Sequence, residues 1–99
     1  MAVERKEGRA LIQLGEECTV ETAAELKTLL VDCLADGEVQ VDLTQVGQID
    51  IAALQLLWAA GREAEHKGAR LQIRWSDYAS SVAHHAGLGL FVASSAEAR

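Results

Sequence analysis

Apolar residues recur at three- and four-residue steps in two long stretches of the chain, which is the spacing of one helix face. Residues 19–35 form the first stretch, with apolar positions Ala23, Leu26, Leu30, Cys33 and Leu34. Residues 51–67 form the second, and its apolar face includes Trp58. A third, shorter helix is predicted from the capping residues Ser76 and Asp77 to about residue 86. The pattern therefore predicts three helices.

The helix starts carry capping signals of different clarity. Thr22 and Glu25 form a capping-box pattern, although Thr19 could also begin the first helix. Asp50 stands immediately before the second helix, where an aspartate side chain commonly accepts a hydrogen bond from a backbone N–H. Gly37 offers a C-terminal stop for the first helix.

Alternation of apolar and polar residues predicts the strands. It is cleanest over residues 38–43, where Val39, Val41 and Leu43 alternate with polar side chains, and it recurs over residues 70–75. A strand over residues 10–14 and a shorter one around residues 3–5 precede the first helix, and Glu7-Gly8 can turn the chain between them. Leu88, Leu90, Phe91 and Val92 predict a short last strand, or a loop packed onto the core.

Strands that alternate with helices are typical of parallel neighbours joined by right-handed crossovers. The first two strands form an antiparallel hairpin. The predicted fold class is α/β, with a mixed four- to five-stranded sheet covered by three to four helices. Residues 1–99 are expected to form a single domain, with a frayed tail over about residues 93–99.

Composition excludes several classes of function. The formal net charge is −6, and the nine Lys and Arg residues are scattered, so binding to nucleic acid is not expected. The longest mostly apolar run, residues 51–60, is far shorter than the roughly 20 residues that a spanning helix needs, so no membrane insertion is expected. The charges at Glu4, Arg5 and Lys6 do not fit a signal peptide, and the expected location is the cytoplasm. Cys18 and Cys33 are interpreted as free thiols, with Cys33 buried on the first helix.

Several short segments, in the right order and at the right spacing, match one family. The stretch Val41-Asp42-Leu43-Thr44-Gln45-Val46-Gly47-Gln48-Ile49-Asp50-Ile51-Ala52-Ala53-Leu54-Gln55-Leu56-Leu57 resembles the core signature of STAS domains, the sulfate-transporter and anti-sigma-factor-antagonist family. Leu14-Gly15-Glu16 resembles the family's turn after its early strand. The passage from Glu63 to Leu71 and the closing Ala86-Gly87-Leu88 are similar to its later segments. The resemblance spans roughly residues 11–91 and implies a STAS-like domain.

One position departs from the family pattern. In the phosphoregulated relatives, the second residue after the loop aspartate is a Ser or Thr that a partner kinase phosphorylates, and here that position is Ala52. Neither Ile51 nor Ala52 has a hydroxyl, so phosphotransfer at this position is impossible. The form Asp-x-Ala-x-Leu-Gln-Leu-Leu resembles the branch associated with chemotaxis-type signalling operons.

The resemblance implies a non-catalytic module that binds a protein partner, either a kinase-like regulator or a chemotaxis component. The alternatives are an accessory subunit of a lipid or ion transporter complex and a small nucleotide-binding protein, although no phosphate-binding glycine motif is present. The expected partner-binding residues lie in the loop and the first helical turn: Asp42, Thr44, Gln48, Asp50, Ile51, Ala52, Ala53 and Leu54.

Individual residues also have structural interpretations. Asp42 fits a docking contact or a solvated carboxylate at a strand end, and Asp50 fits a helix cap, a partner contact or both. No second titratable group nearby supports Asp50 as a general base, so no catalytic residue is expected. His84 and His85 are adjacent and do not share a helix face, so neither a metal nor a cofactor is expected.

Overall fold

The computed structural model describes residues 1–35 and 37–96 of the chain. The strands are β1 (Ala2–Lys6), β2 (Arg9–Gln13), β3 (Glu17–Cys18), β4 (Glu38–Asp42), β5 (Gln48–Ile49) and β6 (Arg70–Arg74). The helices are α1 (Val20–Leu34), α2 (Ile51–Lys67), α3 (Asp77–His85) and α4 (Gly89–Ser95). The α/β class is confirmed: a four-stranded mixed sheet and a small two-stranded sheet are combined with four helices.

The main sheet has the strand order β1-β2-β4-β6. The predicted hairpin is present, since β1 pairs antiparallel with β2 in the register Val3 to Ile12. The other pairings, β2 with β4 and β4 with β6, are parallel. A β-strand cannot run directly into a parallel neighbour, so α1 and α2 return the chain to the start of each next strand.

The core lies between the sheet and the two long helices. The alternating side chains of the central strands are fully buried, and they meet the apolar stripes of α1 and α2. The largest buried side chains are Ile12, Leu26, Leu30, Val39, Val41, Leu43, Leu54, Leu57 and Ile73. Cys18 and Cys33 are buried free thiols, as expected. No helix of the described residues is both long enough and apolar enough to cross a membrane.

The two short strands β3 and β5 escaped the sequence prediction. They pair in parallel, with Cys18 opposite Ile49. Each has only two residues, too few to show a period of two, so alternation could not reveal them. This small sheet sets the starts of α1 and α2 side by side, because each helix begins two residues after the end of one of its strands, at Val20 and Ile51.

The predicted last strand is wrong, because residues 89–95 form α4. Leu88, Phe91 and Val92 are half-buried at helical spacing, whereas Leu90 is 90% exposed. Four closely spaced apolar residues do not distinguish a short strand from a short helix. Within the expected frayed tail, residues 93–95 belong to α4 and Ala96 forms a parallel bridge with Ile73; residues 97–99 lie outside the described part.

Two aromatic side chains hold α4 against β6. The Trp75 ring meets Phe91 edge-on, with 5.8 Å between the ring centroids, and Trp75 Nε1 donates to Ser95 Oγ at 3.1 Å. Gly61 of α2 makes room for this contact, because a Cβ there would lie 3.0 Å from Phe91 Cε1. Trp58, expected on the apolar face of α2, is instead 41% exposed, with the Arg62 guanidinium 5.2 Å from its ring centroid.

Candidate functional site

The candidate site lies at the edge where the parallel strands end. Gln13, Asp42 and Arg74 are the last residues of β2, β4 and β6, and the strand registers place them in one row. The loop 43–50 leaves this row and leads into α2. The carboxyl ends of parallel strands, with the loops that follow, are the usual place for binding sites in α/β folds.

Asp42 binds the first part of that loop. Both the backbone amide and the hydroxyl of Thr44 donate to Asp42 Oδ1, at 2.8 Å and 2.6 Å. Partial burial raises the pKa of Asp42, but the Thr44 hydrogen bonds, the positive charge of Arg74 and a hydrogen bond from Gln13 outweigh it. The net effect holds the pKa below its usual 3.8. These contacts favour the interpretation of Asp42 as a support for the loop.

The middle of the loop is anchored by its backbone. The Val46 side chain is buried, and the Val46 carbonyl accepts a 3.0 Å hydrogen bond from the Ser76 hydroxyl. The amides of Gly47 and Gln48 both donate to the carbonyl of Glu16, at 2.8 Å and 3.1 Å. The loop therefore presents its exposed side chains, Thr44 and Gln48 among them, from a fixed backbone.

Asp50 occupies the N-cap position of α2 with an extended backbone, but its side chain makes no capping hydrogen bond. The expected side-chain cap is therefore wrong. The backbone does the anchoring instead: the Asp50 amide donates to the Cys18 carbonyl at 2.9 Å, and the Asp50 carbonyl accepts from Ala53 at 3.0 Å. Burial raises the pKa of the Cys18 thiol to about 11, and the negative charge of the half-buried Asp50 carboxylate makes a smaller contribution in the same direction.

The first turn of α2 divides the expected partner-binding residues into two groups. Ile51 is 51% exposed and Ala52 is exposed, so both face outward. Ala53 and Leu54 are fully buried. Their expected role in direct partner contact is therefore corrected, because a helix turns by about 100° per residue and carries these two side chains into the core.

Apart from Asp42, which binds Thr44, the expected residues with exposed or half-exposed side chains lie in the loop and the first turn of α2, and we call them the loop–helix surface: Thr44, Gln48, Asp50, Ile51 and Ala52. The first N–H groups of a helix have no intrahelical acceptor and carry partial positive charge. The surface thus combines unpaired helix donors with a half-exposed isoleucine and a small side chain. Such a surface can bind an acceptor group and an apolar side chain of a partner.

The histidines of α3 are occupied by their own helix. His84 Nδ1 and His85 Nδ1 each lie 2.8 Å from the carbonyl oxygen four residues earlier, Ser80 and Ser81 respectively. Since a carbonyl can only accept, each Nδ1 carries the proton. Among residues 1–35 and 37–96, no three His, Cys, Asp or Glu side chains come together as a metal site.

Comparison with known proteins gives the family. The family model described as "Mlab, STAS domain" matches residues 1–89 of this chain. No curated protein matches the chain.

Solved structures share the fold at low sequence identity. The unphosphorylated anti-sigma factor antagonist SpoIIAA matches with a TM-score of 0.75 and 16% identity, over 90% of this chain and 82% of that one. The phosphorylated Bacillus SpoIIAA matches with a TM-score of 0.72 and 16% identity, over 90% and 85%. The crystal structure of Mglu matches with a TM-score of 0.67 and 22% identity, over 77% of this chain but only 19% of that one.

The Mglu match therefore spans about a fifth of that protein. In contrast, the family model extends from β1 to the start of α4, so it includes both sheets and the whole loop–helix surface. The chain belongs to the STAS domain family.

Proposed function

We propose that the chain is a non-catalytic protein-interaction module of bacterial signalling that docks a kinase-like or chemotaxis-type regulatory partner through the loop–helix surface. The observation that carries this proposal is the outward position of Ile51 and Ala52 at the start of α2, beside an anchored loop.

Burial of Ile51 gives the surface an apolar anchor. Its side chain is about half exposed, so covering it stabilises a complex by about 1 kcal/mol, half of the value for a fully exposed isoleucine. Because the loop backbone is already held by Glu16, Cys18 and Ser76, docking orders few new groups. A preorganised surface loses less entropy on binding than a flexible one.

Ala52 makes this docking independent of phosphorylation at its own position. A phosphate there would add about −1.5 to −2 charges to the surface, but Ala52 has no hydroxyl to accept one. Binding is then constitutive, or it is controlled through the partner. The fold shared with SpoIIAA, solved in both unphosphorylated and phosphorylated forms, supports a regulatory-module interpretation.

An accessory subunit of a lipid or ion transporter complex is the second candidate. The absence of a phosphoacceptor at Ala52 favours it, since a permanent subunit needs no switch that releases it. The same loop–helix surface would serve this role. The identity of the captured partner separates the two candidates.

The test is affinity co-purification from the native host, followed by mass spectrometry, with the wild type and Ile51→Glu in parallel. We expect one specific protein to be retained by the wild type and lost with the variant, because the new charge would be buried unpaired. A kinase-like ATPase or a chemotaxis component supports the leading proposal. A transporter ATPase supports the second.

Leu90→Glu is the matched control, because it introduces the same charge at an apolar residue that is 90% exposed on a different helix. It should retain the partner. Circular dichroism must show that both variants are folded. A partner that binds Ile51→Glu as well as the wild type, or no specific partner at all, would overturn the proposal.

A further inference from the structure

The outer edge of β6 faces a cavity. β6 is the last strand of the main sheet and pairs with β4 on one side. A cavity of about 830 Å³ lies along its other side, between α2 and α4. Arg70, Leu71 and Gln72 all line this cavity, although successive side chains of a strand point to opposite faces of a sheet. A cavity lined by three consecutive strand residues lies at the edge of the strand, beside the main chain. We call it the β6 edge groove.

The hydrogen bonds of β6 show which main-chain groups face this groove. The Arg70 amide donates to the Gly37 carbonyl at 2.8 Å, and the Arg74 carbonyl accepts from the Leu43 amide at 2.8 Å. Both residues therefore direct their main-chain groups toward β4. The N–H and C=O of one strand residue point to the same side, and that side alternates along the strand. The N–H and C=O of Leu71 consequently point to the groove.

One position of this edge is already used by the chain itself. Ile73 forms a parallel bridge with Ala96, just after the end of α4. The edge therefore accepts an extended neighbour. Two residues earlier, Leu71 presents the same pair of groups, and within residues 1–35 and 37–96 no strand pairs with it on this side. A donor and an acceptor on one edge residue match the main chain of an added strand.

The α2 wall of the groove carries an oriented guanidinium group. Trp58, Arg62 and Glu65 are spaced four and three residues apart, so they share one face of α2. Arg62 lies over the Trp58 ring, with its guanidinium carbon 5.2 Å from the ring centroid. This contact holds the planar group while its rim of N–H donors can still bind a carboxylate. In the described part of the chain, no carboxylate pairs with Arg62.

The groove combines positive charge with apolar surface. Of the described residues that line it, Arg62 and Arg70 are basic and Glu65 is acidic, whereas the net charge of the whole chain is −6. The half-buried side chains of Leu71 and Phe91 supply apolar contact area. This lining is complementary to a segment that carries both acidic and apolar side chains.

We propose that the β6 edge groove binds an extended peptide segment of a partner protein, which adds to β6 as a further strand and places an acidic side chain against Arg62. Leu71 donates and accepts the main-chain hydrogen bonds, and apolar side chains of the segment cover Phe91. Strand addition of this kind takes affinity from the main chain and specificity from alternate side chains. Trp58 lies about two turns along α2 from Ile51, so the groove is separate from the loop–helix surface.

The experiment is an NMR titration of the purified, nitrogen-15-labelled chain at about pH 7, where aspartate is ionised. The probe is the capped peptide acetyl-Val-Asp-Val-Asp-Val-Asp-Val-amide, and its sequence matters little because main-chain pairing tolerates many side chains. We expect the Leu71 amide signal to shift and its hydrogen exchange to slow, with saturation by about 5 mM peptide. The fully N-methylated peptide keeps the side chains but has no main-chain N–H, so it should bind about tenfold more weakly or less.

Arg62→Gln tests the acidic preference. It should weaken the valine–aspartate peptide by about threefold and leave the matching valine–asparagine peptide unchanged. Lys27→Gln removes the same charge from an exposed residue of α1 outside the groove lining, so it should bind like the wild type.

The titration needs the purified chain alone, so it succeeds or fails separately from the proposed function. A Leu71 amide that does not respond at about 5 mM peptide would overturn the proposal. So would an N-methylated peptide that binds as well as its parent, since side chains alone would then account for binding. Equal loss of affinity in Arg62→Gln and Lys27→Gln would show that the acidic side chain is not placed against Arg62.

Discussion

The backbone amide of Asp50 donates a 2.9 Å hydrogen bond to the carbonyl of Cys18, which ties the start of α2 to the start of α1. The bond continues the pairing of β3 with β5, where Cys18 lies opposite Ile49. It therefore anchors the start of α2, and with it the first turn of the loop–helix surface, beside the start of α1. The proposed docking surface depends on this anchoring.

Replacement of Leu54 with alanine should destabilise the fold strongly. Leu54 is fully buried, and deletion of a buried leucine side chain typically lowers the free energy of unfolding by about 2–5 kcal/mol. Urea denaturation followed by circular dichroism measures this change. Ile51→Ala, three residues earlier but half exposed, should lower it by less than about 1 kcal/mol. Equal losses for the two variants would contradict the burial pattern of α2.

Ala52→Ser should leave the fold intact. Ala52 is exposed in the first turn of α2, where serine is tolerated, so the free energy of unfolding should change by less than about 0.5 kcal/mol. The same urea titration tests this. An unfolded variant would mean that residue 52 is buried and that the loop–helix surface is misplaced.

Asp42 should make stability depend on pH in the acidic range. Its pKa in the folded chain is held below 3.8, so the charged carboxylate stabilises the fold above the pKa of the unfolded state. That contribution is lost as the pH falls from about 4 through the lower folded pKa. Because the group is partly exposed, solvent screening limits it to about 0.5–1 kcal/mol.

Asp42→Asn tests this contribution. The wild type should exceed the variant in the free energy of unfolding at pH 7, and the difference should shrink as the pH falls below about 4. Urea titrations at several pH values measure it. A difference that does not vary with pH would show that the Thr44 hydrogen bonds do not depend on the carboxylate charge.

The Cys18 thiol should be unreactive in the folded chain. Burial, with a smaller contribution from the negative charge of Asp50, raises its pKa to about 11 from 9.0. The fold therefore favours the neutral thiol, and this stabilisation is complete below pH 9 and is lost as the pH rises toward 11. Reaction with Ellman's reagent at about pH 8 should be slow for both buried cysteines and fast in denaturant. Rapid modification of the native chain would contradict the burial of Cys18.

Long periodic segments were predictable because their local pattern and their tertiary role agree. The second helix was predicted over residues 51–67, the bounds that the structure shows, and the alternation of Val39 and Val41 gave the central strand. Short segments were not predictable from their local pattern. The four apolar residues near Phe91 suit a strand or a helix equally, and only the contacts with Trp75 and Gly61 select the helix.

The site shows the same division. Its predicted location in the loop before α2 came from the signature around Asp50, and Ala52 has no hydroxyl that could carry a phosphate. The split between exposed Ile51 and buried Leu54 depends on the rotation of α2 against the sheet, which the backbone hydrogen bond from Asp50 to Cys18 helps to set.

By itself, the sequence determined the order of the main elements, the α/β class and the chemistry at residue 52, because these depend on local periodicity and on the side chains present. Only the tertiary structure decided which side chains of α2 face outward. It also decided that Asp42 binds Thr44 and that the Asp50 amide donates to the Cys18 carbonyl. These relations join residues distant in sequence or depend on the rotation of a helix, so no local pattern records them.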